Sequence, residues 1–109
     1  DAEREMLKLR KLQYFQRQRG RDENAVFRAV ITRVMKFGLM VYLNRYLLTG
    51  LVHVSSLTDD FYKIDRSGTK LKGRRNKKEY RVGDVVKVRV EKVDLIKKEI
   101  DFIIFSSKK

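Results

Sequence analysis

The segment FGLMVYL (residues 37–43), followed closely by GLVHVS (residues 50–55), decides the fold of this chain. In the first segment leucine, valine and leucine alternate with Met40 and Tyr42, which predicts a β-strand with one apolar face turned inward. The other face presents a thioether and a phenol to solvent, beside Phe37. A small protein rarely exposes so many soft or flat groups unless something stacks on them. We therefore expect this strand to carry a binding surface.

Similar alternation elsewhere predicts a small antiparallel barrel. Gly38 indicates a bulge or a sharp turn after the first strand. The clearest period of two places valines at 86, 88 and 90 between charged residues. The fold class is therefore mainly β, a five-stranded barrel of the OB type preceded by an α-helix, in which strands two and three carry the oligonucleotide-binding face. We expect the five strands at residues 26–35, 39–43, 50–54, 86–93 and 100–104.

An α-helix is predicted over residues 2–19, which lack glycine and proline and contain good helix formers. Apolar residues at 6, 9, 12 and 15 could share one stripe, and Gly20 is a plausible C-terminal cap. The stripe is too thin to stabilise an isolated helix. Two interpretations follow: the helix ends a preceding domain, or it packs across the barrel. We favour the first interpretation, because an isolated helix depends on packing against other elements. The first residue is Asp1 and not methionine, so we also expect a piece of a longer protein.

The charge of the chain points to a polyanionic partner. Lysine and arginine number 27 against 14 acidic residues, which gives a net charge of +13 and a pI near 10.2. Nucleic acid leads this class of partner, and an anionic membrane is the competitor. No apolar run approaches the roughly 20 residues of a spanning helix, so we expect no membrane partner. The absence of cysteine excludes disulfides and thiolate metal sites and is compatible with a reducing cytosol, so we expect a cytoplasmic protein without a cofactor.

A long basic connection lies between strands three and four, over residues 59–81. It holds nine lysines and arginines together with aromatic and leucine residues that could anchor it. We expect a partly ordered excursion containing a hairpin, and blocks of like charge often mark interaction segments. The alternative is a solvated loop without a partner. The basic candidates for contact are Lys72, Arg74, Arg75, Lys77 and Lys78.

Three blocks in order carry a family resemblance: FGLMVYL at 37–43, GLVHVSSL at 50–57 and GDVVKVRV at 83–90. Together they resemble an S1 domain, an RNA-binding OB fold, over about residues 25–105. A narrower resemblance, to the C-terminal S1 domain of the ribonuclease R family of RNB exoribonucleases, rests on DFYKID at 60–65, LKG at 71–73, YRVGD at 80–84 and IDF at 100–102.

This resemblance implies a domain organisation. Residues 1–20 would be the C-terminal helix of a catalytic domain, residues 24–105 an S1 domain with a basic insertion at 59–81, and residues 106–109 a tail. Members of that family are processive 3′-to-5′ exoribonucleases whose catalysis rests on a Mg²⁺-binding aspartate cluster in the catalytic domain. Nothing here matches that cluster, so we expect no nuclease activity from this segment and no catalytic residues in it.

The resemblance also implies the roles of single residues. Phe37 and Met40 would stack on bases, and Tyr42 would widen the platform or merely be an exposed tyrosine. His53 would lie at the edge of the same face, where imidazole can stack or hydrogen-bond. Asp94 fits an acidic position at the end of strand four. Four basic residues are candidate phosphate contacts: Arg33, Lys36, Lys97 and Lys98. The alternatives are a core phenylalanine, a structural histidine and ordinary surface charge.

The favoured function is a monomeric module that binds single-stranded RNA with little sequence preference and guides it to an exonuclease. One alternative is a module that docks on an acidic protein or on the ribosome through the basic segment. Another is the S1 domain of a translation factor. An independent enzyme is the least favoured, because His53 lacks the partner groups of a catalytic triad.

Overall fold

The computed structural model describes residues 2–21, 25–58 and 60–105. The predicted tail at 106–109 and most of the predicted hinge at 21–24 lie outside these residues. The elements, in chain order, are helix α1 (Ala2–Arg21), strands β1 (Phe27–Met35), β2 (Gly38–Leu43) and β3 (Leu48–His53), a 3₁₀ turn (Val54–Ser56), and strands β4 (Tyr62–Ile64), β5 (Lys70–Gly73), β6 (Glu79–Arg81), β7 (Val85–Asp94) and β8 (Glu99–Ile104).

Five of the strands close into a barrel in the order β1-β2-β3-β8-β7. All neighbouring pairs are antiparallel except β3 and β8, which run parallel. This is the predicted mainly-β, five-stranded OB-type architecture preceded by a helix, and the prediction is confirmed. On β2 the residues alternate between buried and half-buried positions, so the apolar side faces the core and the side carrying Met40 and Tyr42 faces outward.

Helix α1 packs against the barrel. Leu12 and Phe15 are completely buried, and the Phe15 ring meets the rings of Phe27 and Tyr46 with centroids 5.0 Å away in each case. A fourth ring, Phe102 of β8, lies 6.3 Å from Phe15. The apolar stripe is therefore buried in the C-terminal half of the helix, which packs across the barrel. Burial of this kind stabilises a helix that could not persist alone.

Residues 60–81 form a second, three-stranded antiparallel sheet, β4-β5-β6, which we call the insertion sheet. Its apolar anchors are Tyr62, Leu71 and Tyr80, all buried. A single hairpin was predicted here, but the segment contains two turns and therefore three strands. The second turn is held by Asn76 and by the left-handed backbone of Lys77, features that hydrophobic alternation does not reveal.

Of two local predictions about the barrel, one holds in part and one was wrong. A bulge or a sharp turn was expected at Gly38, and a two-residue turn precedes it, while the register shift in the β1–β2 ladder lies between Ile31 and Arg33. A Cβ at Gly38 would lie 2.1 Å from the Val52 carbonyl oxygen, so glycine is needed there for close approach of two strands. Strand β3 begins at Leu48 and not at Gly50, because Leu48 pairs with Leu43 and is buried.

Candidate nucleic-acid interface

One row of residues crosses all five barrel strands on the outer face. The ladders pair Arg33 of β1 with Met40, Met40 with Leu51, Leu51 with Asp101, and Asp101 with Lys92 of β7. The middle three side chains are half-buried, and the two at the ends are exposed cations. The row therefore offers a short apolar and acidic centre with one basic residue at each end.

An open groove of about 490 Å³ lies along most of this row, and we call it the barrel groove. It is bordered by β2, β3, β7, β8, the β7–β8 turn and one residue of α1. Apolar, imidazole and charged groups converge here, as a strand with bases on one side and phosphates on the other requires. Its lining side chains include Lys8, Met40, Leu51, His53, Lys92, Asp94, Lys97, Lys98 and Asp101.

His53 lies two residues beyond Leu51 on the same face of β3. Its Nε2 is 3.4 Å from Oδ2 of Asp101, so the carboxylate restricts the orientation of the ring beside the groove. The imidazole is about half exposed and leaves a face available to a base or a sugar. No nucleophilic side chain is bonded to it among the described contacts, and Ser56 instead donates its hydroxyl proton to the His53 carbonyl oxygen at 2.7 Å.

Asp94 ends strand β7 at one end of the groove and holds the following turn. Its Oδ1 accepts the backbone N–H groups of Lys97 at 2.9 Å and Ile96 at 3.0 Å. These two bonds, the one from Lys97 first, lower the pKa of the Asp94 carboxyl below its ordinary value. The acid predicted as an RNA contact is therefore also the anchor of the turn that presents Lys97 to the groove.

Lys98 occupies the left-handed region of the backbone, with φ of 58°. Its Nζ forms a hydrogen-bonded ion pair with Glu5 of α1, and this bond lowers the pKa of the Glu5 carboxyl. Lys8 of the same helix reaches the groove. Helix α1 thus contributes one cation to the groove and neutralises another. The sequence predicted the same role for Lys97 and Lys98. In the structure they differ, because of the two only Lys98 is paired with a carboxylate among the described residues.

Phe37 lies beside the groove, in the two-residue turn that joins β1 and β2. Its side chain is 57% exposed, which rules out the alternative of a core phenylalanine. The backbone of the turn is fixed, because the Phe37 carbonyl accepts the N–H of Val54 at 2.7 Å. Gly38, the next residue, pairs with His53 across the ladder. The ring is therefore carried on a fixed turn next to the histidine end of the groove.

The remaining predicted contacts lie around this surface. Tyr42 is half-buried on the outer face of β2, one outward position beyond Met40, and it does not line the barrel groove. Arg33 ends the cross-barrel row, and Lys36 shares the turn with Phe37; both are exposed. The five basic residues predicted in the insertion sheet (Lys72, Arg74, Arg75, Lys77 and Lys78) are exposed on β5 and in the turn after it.

The groove residues that the sequence did not predict include Lys8, Leu51, Lys92 and Asp101. The outward alternation on β3 and β7 could have revealed Leu51 and Lys92, since each shares a face with a residue already chosen. Lys8 could not be found this way, because nothing in the sequence shows where α1 packs. Asp101 was noted only as part of a family motif.

The described residues offer neither a cluster of metal ligands nor a helix that could cross a membrane. Within residues 2–21, 25–58 and 60–105, no three His, Asp or Glu side chains gather as a metal site would require. The one long helix among the described residues is not apolar enough to cross a bilayer.

A five-stranded OB-type barrel with an open groove between cations defines a class, the oligonucleotide-binding OB folds. The S1 RNA binding domain family model matches residues 22–105, and the chain belongs to that family. Ribonuclease R of Thermotoga maritima is 39% identical over 104 residues, which is 95% of this chain and 14% of the relative. Ribonuclease R of Escherichia coli is 45% identical over 84 residues, covering 77% of this chain and 10% of that protein.

The structure of Mycoplasma genitalium RNase R in complex with ribose-methylated single-stranded RNA shares the fold. The TM-score is 0.70 at 23% identity, over 81% of this chain and 14% of that one. The resemblance of the chain to the ribonuclease R type of S1 domain is thus confirmed. The chain spans only about one seventh of the length of these relatives or less.

Proposed function

We propose that this chain binds single-stranded RNA in the barrel groove with little sequence preference, as the S1 domain of a hydrolytic 3′-to-5′ exoribonuclease of the ribonuclease R type. The observation that carries the proposal is the cross-barrel row, in which Met40 and Leu51 lie between Arg33 and Lys92. Bases can contact the soft centre while phosphates meet the cations at either end. The family membership and the 39–45% identity to ribonuclease R relatives support it.

In this proposal each groove residue has a physical role. Phe37 and Met40 supply surfaces on which any base can stack, since stacking needs only a π-face. His53, oriented by Asp101, contacts a base or a ribose at the edge of the groove. Lys92 and Lys97 bind phosphates, and Asp94 holds the turn that carries Lys97. None of these contacts reads a Watson–Crick edge in a fixed pattern, which is why we propose broad sequence tolerance.

We further propose that catalysis belongs to another domain of the parent enzyme, and that this domain holds RNA for it. Helix α1 would then join the two, as residues 1–20 in the predicted organisation, with its C-terminal half packed on the barrel. Residues 24–105 would be the RNA-binding unit. A monomer is expected, because the groove is built from one chain.

Fluorescence anisotropy with a labelled oligo(A) across a salt series tests the proposal. Phosphate contacts release counterions, so affinity should fall steeply as salt rises. The variants Met40→Ala and Lys97→Ala should weaken binding, whereas Arg28→Ala, an exposed cation of β1 outside the groove, should do so less. Binding that ignores both groove variants and salt would show that the groove is misassigned. Binding to a protein or ribosome that survives nuclease treatment would favour the docking alternative.

A further inference from the structure

Besides Phe37, a second phenylalanine is exposed: Phe61, which lies just before β4, is 71% accessible. Its backbone is fixed on both sides. The N–H donates to Oδ1 of Asp60 at 2.7 Å, and the carbonyl accepts the N–H of Arg74 at 2.9 Å. A large apolar ring held in water on a fixed backbone is the arrangement that a stacking platform needs, because little order has to be gained on binding.

Two grooves meet at this ring. One is bordered by Lys63, Lys72, Arg74 and Lys77, and the other by Lys63 and Arg75, with Phe61 lining both. Lys63, Lys72, Arg74 and Lys77 form no ion pair with any carboxylate in the described part of the chain. The ring is therefore surrounded by positive charge that the insertion sheet does not itself neutralise.

The two acids that line these grooves, Asp60 and Asp65, accept hydrogen bonds from the backbone. Oδ2 of Asp60 accepts the N–H groups of Arg75 at 2.7 Å and Asn76 at 2.8 Å. Asp65 accepts the N–H of Thr69 at 2.9 Å. Both carboxylates stabilise the turns around Phe61 and remain charged, but the five lysines and arginines that line the two grooves outnumber them, so an approaching anion meets net positive charge.

The surface of Phe61 adjoins the surface of the barrel groove. His53 lines the barrel groove, and the next two residues, Val54 and Ser55, line the groove beside Phe61. Val54 is also bonded through its N–H to the carbonyl of Phe37. The 3₁₀ turn at Val54–Ser56 is thus the short bridge between the two exposed rings.

We propose that a single-stranded nucleic acid leaving the barrel groove crosses this turn and stacks a further base on Phe61, with its phosphates on Lys63, Lys72, Arg74 and Lys77. This inference rests on the proposed function and extends the binding path from one surface to two. Stacking requires an unpaired base with an open face, which makes the ligand single-stranded. Phe61 has no hydrogen-bonding group, so the second contact is also tolerant of sequence.

Oligonucleotides of two lengths distinguish binding at the barrel groove from binding at Phe61. OB folds occupy about 4 to 16 nucleotides, so a labelled A₄ should fill the barrel groove alone and an A₁₆ should reach both surfaces. Anisotropy would compare the 109-residue chain with Phe61→Ala, Phe61→Trp and Phe37→Ala. The matched control is Leu47→Ala, which removes an apolar side chain of similar exposure, 65%, from the turn between β2 and β3, a residue that lines neither surface. Amide spectra of each variant would verify that the insertion sheet remains folded.

We expect Phe61→Ala to weaken A₁₆ about 5- to 100-fold and to leave A₄ unchanged, while Phe61→Trp retains the wild-type affinity for A₁₆. Phe37→Ala should weaken both oligomers. If Phe61→Ala leaves A₁₆ unchanged while Phe37→Ala weakens it, this inference fails and the proposed function stands. The same holds if Phe61→Ala weakens A₄ and A₁₆ equally. If neither phenylalanine affects any oligomer and Met40→Ala and Lys97→Ala also leave binding unchanged, both proposals fail, and an acidic protein partner becomes the better explanation of the basic sheet.

Discussion

The barrel and the insertion sheet hold their exposed surfaces in different ways. The barrel presents its groove on long strands whose opposite face is a continuous apolar core, from Leu12 and Phe15 of α1 to Phe102 of β8. The insertion sheet has strands of only three or four residues, and its turns are held by side-chain carboxylate and amide groups of Asp60 and Asn76. The barrel surface therefore depends mainly on hydrophobic packing, whereas the insertion sheet, which Tyr62, Leu71 and Tyr80 anchor in the same core, depends in addition on polar contacts in its turns.

Phe15→Ala should have the largest effect, because it removes a completely buried ring that joins α1 to the barrel. Such truncations cost about 3–5 kcal/mol in the free energy of unfolding. Urea denaturation followed by far-ultraviolet circular dichroism would measure it. Leu7→Ala, on an exposed part of the same helix, should change stability by less than about 0.5 kcal/mol. Equal midpoints for Phe15→Ala and the wild type would mean that the helix is not part of the folded barrel.

The second-largest effect is expected for Phe37→Ala, and it should concern binding and not folding. Loss of one stacking contact is expected to cost about 1–3 kcal/mol of binding free energy for oligo(A), measured by anisotropy. Val82→Ala is a suited control, since Val82 is 55% exposed, close to the 57% of Phe37, and also lies in a turn. A loss of the same size in both variants would show that exposed apolar area, and not stacking, explains the effect.

Alanine variants of the two lysines in the β7–β8 turn should differ in the salt dependence of RNA binding. Lys97→Ala should reduce the magnitude of the negative slope of log affinity against log salt by about one, as the loss of one phosphate contact does. Lys98→Ala should lower it less, because Glu5 already pairs with Lys98. Glu5→Gln should raise affinity by releasing Lys98 and removing a negative charge beside the groove. Identical slopes for the two lysine variants would contradict this difference.

The turn of the insertion sheet at Arg75 and Asn76 should open at acid pH without loss of the barrel. The backbone N–H of Asn76 is the main reason that the pKa of Asp60 lies below its ordinary value of 3.8. The stabilisation from Asp60 is therefore present above that value and is lost as the pH falls through the lowered pKa. Hydrogen-exchange protection at Arg75 and Asn76 should drop there, while protection in β2 persists. In Asp60→Asn this pH dependence should be absent; if it remains, another group controls the opening.

The same contrast explains what could be predicted from the sequence. Alternation of apolar and polar residues indicated the barrel strands and the outward face of β2, because a period of two follows from strand geometry alone. It could not show the third strand of the insertion sheet, which depends on the turn at Asn76. Nor could it show the Glu5–Lys98 pair, whose members are 93 positions apart and meet only because Phe15 packs on the barrel.

Methionine methyl NMR tests the central claim most directly. The chain has three methionines, Met6, Met35 and Met40, and only Met40 lies in the barrel groove. Titration of ¹³C-methyl-methionine protein with A₁₆ should shift the Met40 signal in a saturable, salt-sensitive way and leave the signal of Met6, exposed on α1, unchanged. A Met40 signal that stays in place while anisotropy reports binding would contradict the assignment of the groove.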